Sequence, residues 1–261
     1  MDLRGQTALV TGASGGIGLA FAHEFAARGA DVVLVARSED KLRANAVEIT
    51  RRHAVHAELI AVDLEQSDAV DEISHRLDAA NRPVDILVNN AGFATHGDVA
   101  TADPARLRAQ IRLNTLAVVD LTTRFLPAMT ARHQGIIINV ASTAAYQPVA
   151  HMAVYGATKA FVLSFTEALW AEAKPAGVRV LAVSPGATDT SFFDVVGAEE
   201  ASVGRRRTPQ QVVATALRGL EKGRPSVVDG PTNKIIAGLP RAMPRSAIIQ
   251  IAERSVRPNN L

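Results

Sequence analysis

The sequence predicts an α/β fold in which a doubly wound parallel sheet lies between two layers of helices. Six short apolar runs, each suited to a buried strand, alternate with stretches of helical character, a pattern typical of βαβ units. The first run leads directly into a glycine-rich turn that opens a helix. Neither an internal repeat nor a low-complexity linker interrupts the 261 residues, so we expect one domain over residues 1–261.

Composition excludes several classes of protein. Hydrophobic residues make up 48% and charged residues 21%, as in a globular domain, and the net charge of +2 is too small to indicate a nucleic-acid partner. The chain has no cysteine, which excludes a disulfide framework, a thiol nucleophile and a cysteine-based metal site. No apolar run approaches the ~20 residues of a membrane helix, and the first residues do not resemble a signal peptide. We therefore expect a cytoplasmic protein.

The first element is a strand over residues 7–10. It runs into the turn Thr-Gly-Ala-Ser-Gly-Gly-Ile-Gly at residues 11–18, and an amphipathic helix follows to about Arg28. Glycines allow a tight turn and close approach of the backbone to a phosphate, and the helix N-terminus offers N–H groups to the anion. Glycines also simply make turns. The position after the first strand favours the phosphate-binding interpretation.

A second strand is predicted over residues 31–36, where a continuous apolar run suits burial on both faces. The residues at its end are Ala36 and Arg37. A carboxylate here would bind a ribose 2′-hydroxyl, whereas a guanidinium suits a 2′-phosphate, so the pair favours NADP over NAD. The alternative is that Arg37 is a solvated loop charge.

Residues 41–52 read as a helix and residues 59–62 as the third strand, which ends at Asp63 and Leu64. The Asp63 carboxylate can accept from an adenine amino group, or it can cap the helix predicted over residues 68–81. The residues alone do not distinguish these two roles.

The fourth strand is predicted over residues 85–88 and is followed by Asn-Asn-Ala-Gly at residues 89–92. Small and amide residues at the carboxyl end of a strand suit the crevice where open parallel sheets bind ligands. Residues 104–129 read as one long helix that contains Asn114. Asparagine is unfavourable inside a helix because its side chain competes for backbone hydrogen bonds. A functional role explains this misfit, and so does a tolerated buried amide.

Residues 136–140 are the fifth predicted strand, and Ser142 follows in the loop after it. Tyr155 and Lys159 stand four residues apart in a helix predicted over residues 154–174, so both lie on one helical face. An ammonium beside a phenol favours the phenolate, which predicts that the pKa of Tyr155 falls. Such a phenol can act as a general acid or base on an alcohol or carbonyl oxygen, and the Ser142 hydroxyl can hydrogen-bond the same oxygen. Tyrosine and lysine also occur at this spacing by chance.

The sixth strand is predicted over residues 178–183, and residues 227–228 suit a short seventh. Between them the βα alternation is interrupted, and the long irregular segment predicts a lid over about residues 187–208. An apolar and arginine-rich tract covers about residues 234–256. It fits a packing or subunit contact, part of a substrate wall, or an interfacial helix, although Pro240 and Pro244 disfavour one continuous helix.

Together these motifs resemble the short-chain dehydrogenase/reductase family, in its single-domain branch. The likeness covers about residues 3–228. It is carried by the glycine-rich turn, the Asn-Asn-Ala-Gly segment, Asn114, Ser142, the Tyr-Gly-Ala-Thr-Lys segment from Tyr155, and Pro185-Gly186. The resemblance implies a Rossmann fold that binds NADP. It also implies association as a homodimer or homotetramer through the helices that contain Asn114 and Tyr155.

The resemblance further implies roles for individual residues. Tyr155 would be the acid/base, Lys159 would lower its pKa and hold the nicotinamide ribose, Ser142 would position the substrate oxygen, and Asn114 would hold a water of a proton relay. The cofactor-binding residues would be Gly12, Ser14, Gly16, Ile17, Gly18, Arg37, Asp63, Leu64, Asn90, Ala91, Gly92, Tyr155, Lys159, Pro185, Gly186, Thr188 and Thr190. Apart from the resemblance, we expect an apolar substrate wall made of Phe93, Ala94, Ala144, Val149, Phe192 and Phe193, to which His96 and His151 would add polarity.

These residues predict an NADP(H)-dependent oxidoreductase that interconverts a hydrophobic ketone or aldehyde and its alcohol. The alternative is a non-catalytic NADP-binding sensor or scaffold on the same fold. Such proteins usually lack the tyrosine or the lysine, and this chain has both Tyr155 and Lys159. A sugar-nucleotide epimerase is disfavoured because little chain follows Pro185-Gly186.

Overall fold

The structure is a computed structural model that describes residues 1–192, 206–241 and 243–257. Within these residues seven parallel strands form one sheet in the order β3-β2-β1-β4-β5-β6-β7. The strands are β1 (Thr7–Thr11), β2 (Asp31–Ala36), β3 (Ala57–Ala61), β4 (Ile86–Asn89), β5 (Gly135–Val140), β6 (Val178–Ser184) and β7 (Ser226–Val228). All seven predicted strands are present, with ends that differ by at most two residues.

Helices cover both faces of the sheet. They are α1 (Gly16–Ala27), α2 (Glu39–His53), α3 (Ala69–Ala79), α4 (Pro104–Ile111), α5 (Ala117–Ala131), α6 (Ala153–Ala173), α7 (Pro209–Glu221), α8 (Pro231–Gly238) and α9 (Arg245–Val256). Alternate residues of β2 pack on opposite sides: Val32 and Leu34 lie in one apolar core with α1, α2 and α7, while Val33 and Val35 lie in another with α3, α5 and α6. The predicted three-layer αβα fold is confirmed.

The strand order reverses between β1 and β4, which are neighbours in the sheet although two strands separate them in sequence. The chain leaves these two strands on opposite sides, so a crevice opens at their carboxyl ends. The glycine-rich turn after β1 and the Asn-Asn-Ala-Gly segment after β4 both lie at this edge.

The long helix predicted over residues 104–129 is not continuous. A π-helical segment, Arg112–Leu116, separates α4 from α5, and the backbone N–H of Ala117 bonds the carbonyl of Arg112, five residues back. Asn114 lies inside this segment. A π-bulge adds one residue to a single turn of an α-helix, and such bulges often occur at functional sites. The prediction of one helix is therefore wrong at the position where Asn114 did not suit a helix.

The tract over residues 234–256 forms two helices rather than one. Pro240 lies in a short 3₁₀ turn after α8, and Pro244 immediately precedes α9, where a proline is tolerated. The predicted lid over residues 187–208 lies largely outside the described residues, so the lid and the single-domain organisation stay predictions. Among the described helices, none has the length and apolar character needed to cross a bilayer. The cytoplasmic location also stays a prediction.

Candidate active site

The glycine-rich turn brings backbone close to backbone. Gly12 and Gly16 have φ values of +65° and +57°, which favour glycine. A Cβ on Gly12 would lie 2.6 Å from the Asn90 Nδ2, and one on Gly18 would lie 2.5 Å from the Gly12 carbonyl oxygen. No side chain caps the N-terminus of α1, whose N-cap residue is Gly15. The first N–H groups of the helix therefore remain suited to an anion, and Ser14 and Ile17 lie half-buried beside them.

Two polar side chains hold this turn against β4. The Thr11 hydroxyl donates to the Val88 carbonyl at 3.2 Å and accepts from the N–H groups of Asn90 and Ala91 at 2.9 and 3.0 Å. The Asn90 amide nitrogen donates to the Thr11 carbonyl at 2.9 Å. Asn90, which was predicted to line the cofactor, thus fixes the glycine-rich turn that would bind the phosphates. Sequence reasoning missed Thr11, whose only signal was a hydroxyl as the last residue of a buried strand.

Three predicted residues follow β2 and β3. Arg37 is 64% exposed, and its Nη1 lies 3.7 Å from the Glu65 Oε1. The Asp63 carboxylate accepts from the Glu65 N–H at 3.1 Å, so it closes a local turn, whereas the N-cap of α3 is Asp68. The helix-capping role considered for Asp63 is therefore wrong. The Leu64 side chain is buried in the core, which leaves only its backbone available to a ligand.

Asn114 fixes the loop after β4. Its Oδ1 accepts from the Phe93 N–H at 3.1 Å, and its Nδ2 donates to the Phe93 carbonyl at 2.9 Å and to the Thr158 hydroxyl at 3.1 Å. A Cβ on Gly92 would lie 2.9 Å from the Asn114 Oδ1 and 3.6 Å from the Lys159 Nζ. The π-helical segment, this loop and α6 therefore meet at one buried amide, close to Lys159.

Tyr155 and Lys159 lie on α6 beside Ser142, which follows β5. All three are buried, with relative exposures of 8%, 6% and 9%. The Lys159 ammonium donates to the Val140 carbonyl at 2.8 Å and lies 5.9 Å from the centre of the Tyr155 ring. The Ser142 hydroxyl accepts from the Ala144 N–H at 3.1 Å. The structure thus brings these three predicted residues into one buried site.

Burial, rather than the lysine, controls the pKa values here. Desolvation raises the pKa of Tyr155 to about 12, and a hydrogen bond with Ser142 opposes this rise. Desolvation also lowers the pKa of Lys159 to about 8. The prediction that the neighbouring ammonium lowers the tyrosine pKa is wrong for this structure, because the cost of removing the phenolate from water exceeds the lowering by the Ser142 hydrogen bond.

The loop after β6 borders the crevice. The Pro185 carbonyl accepts from the Thr143 N–H at 2.9 Å, and a Cβ on Gly186 would collide with the Asn233 Nδ2. The Thr188 hydroxyl donates to the Gly186 carbonyl at 3.1 Å. Farther along the loop, the Thr190 side chain lies 3.0 Å from where a Gly16 Cβ would be. The loop therefore lies directly against the glycine-rich turn.

The predicted substrate side is an apolar cluster around Tyr155. Its members are Ala94, Ala144, Val149, Met152, Tyr155, Phe192 and Val256. The Phe192 ring centre lies 5.9 Å from that of Tyr155. Phe93 is not part of this cluster, because its ring packs against the Arg106 guanidinium at 4.2 Å. Phe193 lies outside the described residues. Sequence reasoning missed Met152 and Val256; the apolar tract that ends at Val256 was the signal for the latter.

Two histidines lie at the edge of this cluster. The His96 Nε2 is 2.7 Å from the Val256 carbonyl oxygen. The His151 Nδ1 is 2.7 Å from the Asp98 Oδ1, and its Nε2 is 3.6 Å from the Glu253 Oε1. Both side chains therefore contact loop or helix neighbours instead of adding polarity to the wall beside Tyr155.

Sequence comparison relates the chain to known reductases. The family described as short chain dehydrogenase matches residues 6–201. The very-long-chain 3-oxoacyl-CoA reductase of Bos taurus is 33% identical over 254 residues, which are 95% of this chain and 78% of that protein. The human reductase of the same name is 38% identical over 186 residues, and the match covers 69% of this chain and 59% of the human protein.

Solved structures share the fold over most of their length. A short-chain dehydrogenase from Sphingobium yanoikuyae in complex with NADPH has a TM-score of 0.80 and 34% identity, covering 85% of this chain and 87% of that chain. A structure from work on the stereoselectivity of 7β-hydroxysteroid dehydrogenase has a TM-score of 0.88 and 27% identity, covering 97% and 99%.

Proposed function

The chain belongs to the short-chain dehydrogenase/reductase family of oxidoreductases, and we propose that it uses NADP(H) to interconvert a hydrophobic ketone or aldehyde and its alcohol. One observation carries the proposal. Tyr155, Ser142 and Lys159 share a buried site with the glycine-rich turn on one side and an apolar cluster on the other. Such an arrangement would put a proton donor between a phosphate-binding turn and a hydrophobic wall, which supports the proposal.

Tyr155 would act as the general acid in the direction of reduction. A pKa of about 12 keeps its hydroxyl protonated at neutral pH, so the proton is available to a carbonyl oxygen. The Ser142 hydroxyl would hydrogen-bond the same oxygen and hold it near Tyr155. Bound NADPH supplies the hydride that reduces the carbonyl carbon. The phenolate left on Tyr155 would regain a proton from solvent, through Lys159 and a water held near Asn114.

The residues present suit a dinucleotide with a 2′-phosphate. A Cβ on Gly12 or Gly18 would collide with Asn90 or with the Gly12 carbonyl, so only glycine keeps the tight turn that would approach a phosphate. The exposed guanidinium of Arg37, with Ser14 in the turn, would bind the 2′-phosphate, and Lys159 would bind the nicotinamide ribose. The Sphingobium relative was solved with NADPH, which supports the same cofactor here. The remaining predicted contacts would come from Asp63, Leu64, Ala91, Gly92, Pro185, Gly186, Thr188 and Thr190.

A hydrophobic substrate fits the residues around Tyr155. Ala94, Val149, Met152 and Phe192 present aliphatic and aromatic groups, and the two histidines nearby point to other partners. The names of the relatives, a very-long-chain 3-oxoacyl-CoA reductase and a hydroxysteroid dehydrogenase, also describe large hydrophobic substrates. We therefore propose large hydrophobic carbonyl compounds as the substrate class, without choosing between a 3-oxoacyl-CoA and a steroid.

The test is consumption of NADPH by the purified protein with carbonyl compounds of increasing hydrophobicity. We expect kcat/KM to be at least tenfold higher with acetophenone or 2-acetonaphthalene than with dihydroxyacetone, and higher with NADPH than with NADH. Tight NADPH binding without turnover of any compound would contradict catalysis and indicate the sensor or scaffold.

We also propose that two copies associate through α4, α6 and the segment between α4 and α5. These elements pack together and expose Ile111, Leu116 and Phe161 at 42%, 52% and 44%, with Phe161 stacked on Phe165. Exposed large apolar groups on neighbouring elements suit a subunit contact. Sedimentation should show a dimer or a tetramer, and Phe161→Glu should shift it toward monomer. A monomeric wild type would contradict the proposal.

A further inference from the structure

The last helix contributes directly to the apolar cluster around Tyr155. Val256 is the final residue of α9 and is only 5% exposed, although its neighbours Ser255 and Arg257 are exposed. It shares its cluster with Ala94, Val149, Met152 and Tyr155. Tyr155 itself is 8% exposed. The apolar cluster therefore helps to bury Tyr155, and Val256 is the cluster member that comes from farthest along the chain.

His96 holds the end of α9 in this position. The last carbonyl groups of a helix have no partner within the helix, and a histidine can satisfy one of them. The His96 ring nitrogen lies 2.7 Å from the Val256 carbonyl oxygen, a direct hydrogen bond from the loop after β4. His96 therefore fixes the backbone of Val256, the same residue whose side chain belongs to the apolar cluster.

His151 makes a second connection to α9. Its Nδ1 lies 2.7 Å from Asp98, and its buried Nε2 has no hydrogen-bond partner but lies 3.6 Å from the Glu253 carboxylate. The hydrogen bond from Arg257 lowers the pKa of Glu253, the nearby His151 imidazole adds to this effect, and the carboxylate stays ionised at neutral pH. The imidazole therefore lies between a carboxylate of the loop and a carboxylate of α9.

The backbone at His151 is also unusual. Among the described residues four non-glycine residues have positive φ, and three of them, Ala54, Asn81 and His133, follow the ends of helices. His151, with φ of +59°, instead lies in the loop that precedes Tyr155. A left-handed conformation is unfavourable for a non-glycine residue, so it persists where other contacts hold the backbone in place. Here those contacts are Asp98 and the carboxylate of α9.

We propose that Val256 is a specificity-determining residue, whose side chain limits the size of the substrate opposite Tyr155, and that His96 and His151 are positioning residues that hold it there. The proposal rests on the proposed carbonyl reductase activity. It assigns the C-terminal tract to the substrate wall rather than to a membrane surface, and it predicts that the tract selects among ketones without taking part in proton transfer.

The first experiment changes the wall. Val256→Ala removes two methyl groups, and Ile251→Ala, at a site 52% exposed on the same helix, is the matched control. A methylene in a hydrophobic pocket is worth about 1–3 kcal/mol of discrimination. The ratio of kcat/KM for 2-acetonaphthalene to that for acetophenone should therefore rise about tenfold in Val256→Ala and stay at the wild-type value in Ile251→Ala. Equal ratios in all three proteins would overturn the proposal.

A readout without turnover separates this inference from the proposed function. The chain has two tyrosines, Tyr146 and Tyr155, so nitration by tetranitromethane can be followed at each by mass spectrometry. Val256→Ala should increase nitration of Tyr155 relative to Tyr146 by several-fold, and Ile251→Ala should not. If no ketone is reduced but nitration of Tyr155 increases, the proposed reductase activity is wrong and the proposed role of Val256 in the wall is kept. If neither the ketone ratio nor the nitration changes, the proposed role of Val256 is wrong.

The second experiment tests the positioning residues. His151→Asn keeps a residue that tolerates positive φ but cannot span Asp98 and Glu253, and His133→Asn is the control at another positive φ. His151→Asn should raise the ratio of the two ketones about threefold, mainly through KM, and His133→Asn should not. Glu253→Gln, which removes the negative charge at the α9 end of the contact, should act in the same direction. A lower melting temperature with an unchanged ratio in both variants would overturn the positioning role.

Discussion

The two sides of the crevice are built differently. On the side of the glycine-rich turn, the Thr11 hydroxyl and the Asn90 amide join adjacent strands through hydrogen bonds to backbone groups. On the side of Tyr155, apolar side chains from three loops and the last helix pack together, and two histidines fix the helix. The side of the glycine-rich turn should tolerate few substitutions, because several hydrogen bonds fix its backbone. The side of Tyr155 can accept other apolar side chains, which suits a surface that selects substrates.

The largest expected effect tests whether proton transfer depends on the Tyr155 side of the crevice alone, and not on the side of the glycine-rich turn. Tyr155→Phe removes the hydroxyl and leaves the ring packed on Phe192, so turnover with NADPH and acetophenone should fall about 10³-fold, within the range of general acid catalysis. The dissociation constant for NADPH should change less than threefold. Retained turnover would remove Tyr155 from the mechanism, and Tyr146→Phe is the matched control.

The buried ammonium between the two sides should make stability depend on pH. The pKa of Lys159 is about 8 in the folded protein against 10.5 in the unfolded chain. Between these values the unfolded chain keeps a proton that the folded protein has released, so stability rises with pH by about 3 kcal/mol. Urea unfolding without added nucleotide at pH 7.5, 9 and 10.5 should show this rise in the wild type.

Lys159→Met is the control, because it removes the titrating group and should flatten the curve in that range. The pKa of Tyr155, raised to about 12 from 10, acts in the opposite direction, so its contribution to stability falls above pH 10 as pH rises toward 12. Identical pH curves for wild type and variant would mean that Lys159 is not desolvated.

A third change tests whether the side of the glycine-rich turn selects NADP over NAD. Arg37→Asp replaces the guanidinium by a carboxylate beside Glu65, and the two negative charges should repel a 2′-phosphate. The NADPH/NADH ratio of kcat/KM should fall about 100-fold, the worth of a charge-assisted hydrogen bond or two. Arg76→Asp, on α3, makes the same charge change and should leave the ratio unaltered. An unaltered ratio in Arg37→Asp as well would mean that Arg37 points elsewhere.

The smallest expected effect compares two glycines of one turn. A Cβ on Gly18 would lie 2.5 Å from the Gly12 carbonyl oxygen, whereas one on Gly15 would meet no atom within 4 Å. Gly18→Ala should therefore lower the free energy of unfolding by about 1–3 kcal/mol, as overpacking does, and Gly15→Ala by less than about 0.5 kcal/mol. Equal losses in urea unfolding would show that the turn is not over-determined as the contacts indicate.

Local patterns in the sequence predicted much of this protein. Strand and helix periodicity, the glycine spacing at residues 11–18 and the four-residue spacing of Tyr155 and Lys159 depend on neighbours in the chain. For that reason the seven strands and the αβα layers were predicted and are confirmed. The π-helical segment was not predicted as such, but the misfit of Asn114 in a helix indicated its position.

Tertiary structure alone decided the surroundings of the candidate site residues. The pKa of Tyr155 depends on burial by the whole fold, so the direction of its shift could not be obtained from the neighbouring lysine. The bond between Asn90 and Thr11 joins residues 79 apart in sequence, and Val256 joins the apolar cluster of Tyr155 only once the chain is folded. Spacing along the chain encodes local geometry, whereas desolvation and long-range packing exist only once the chain is folded.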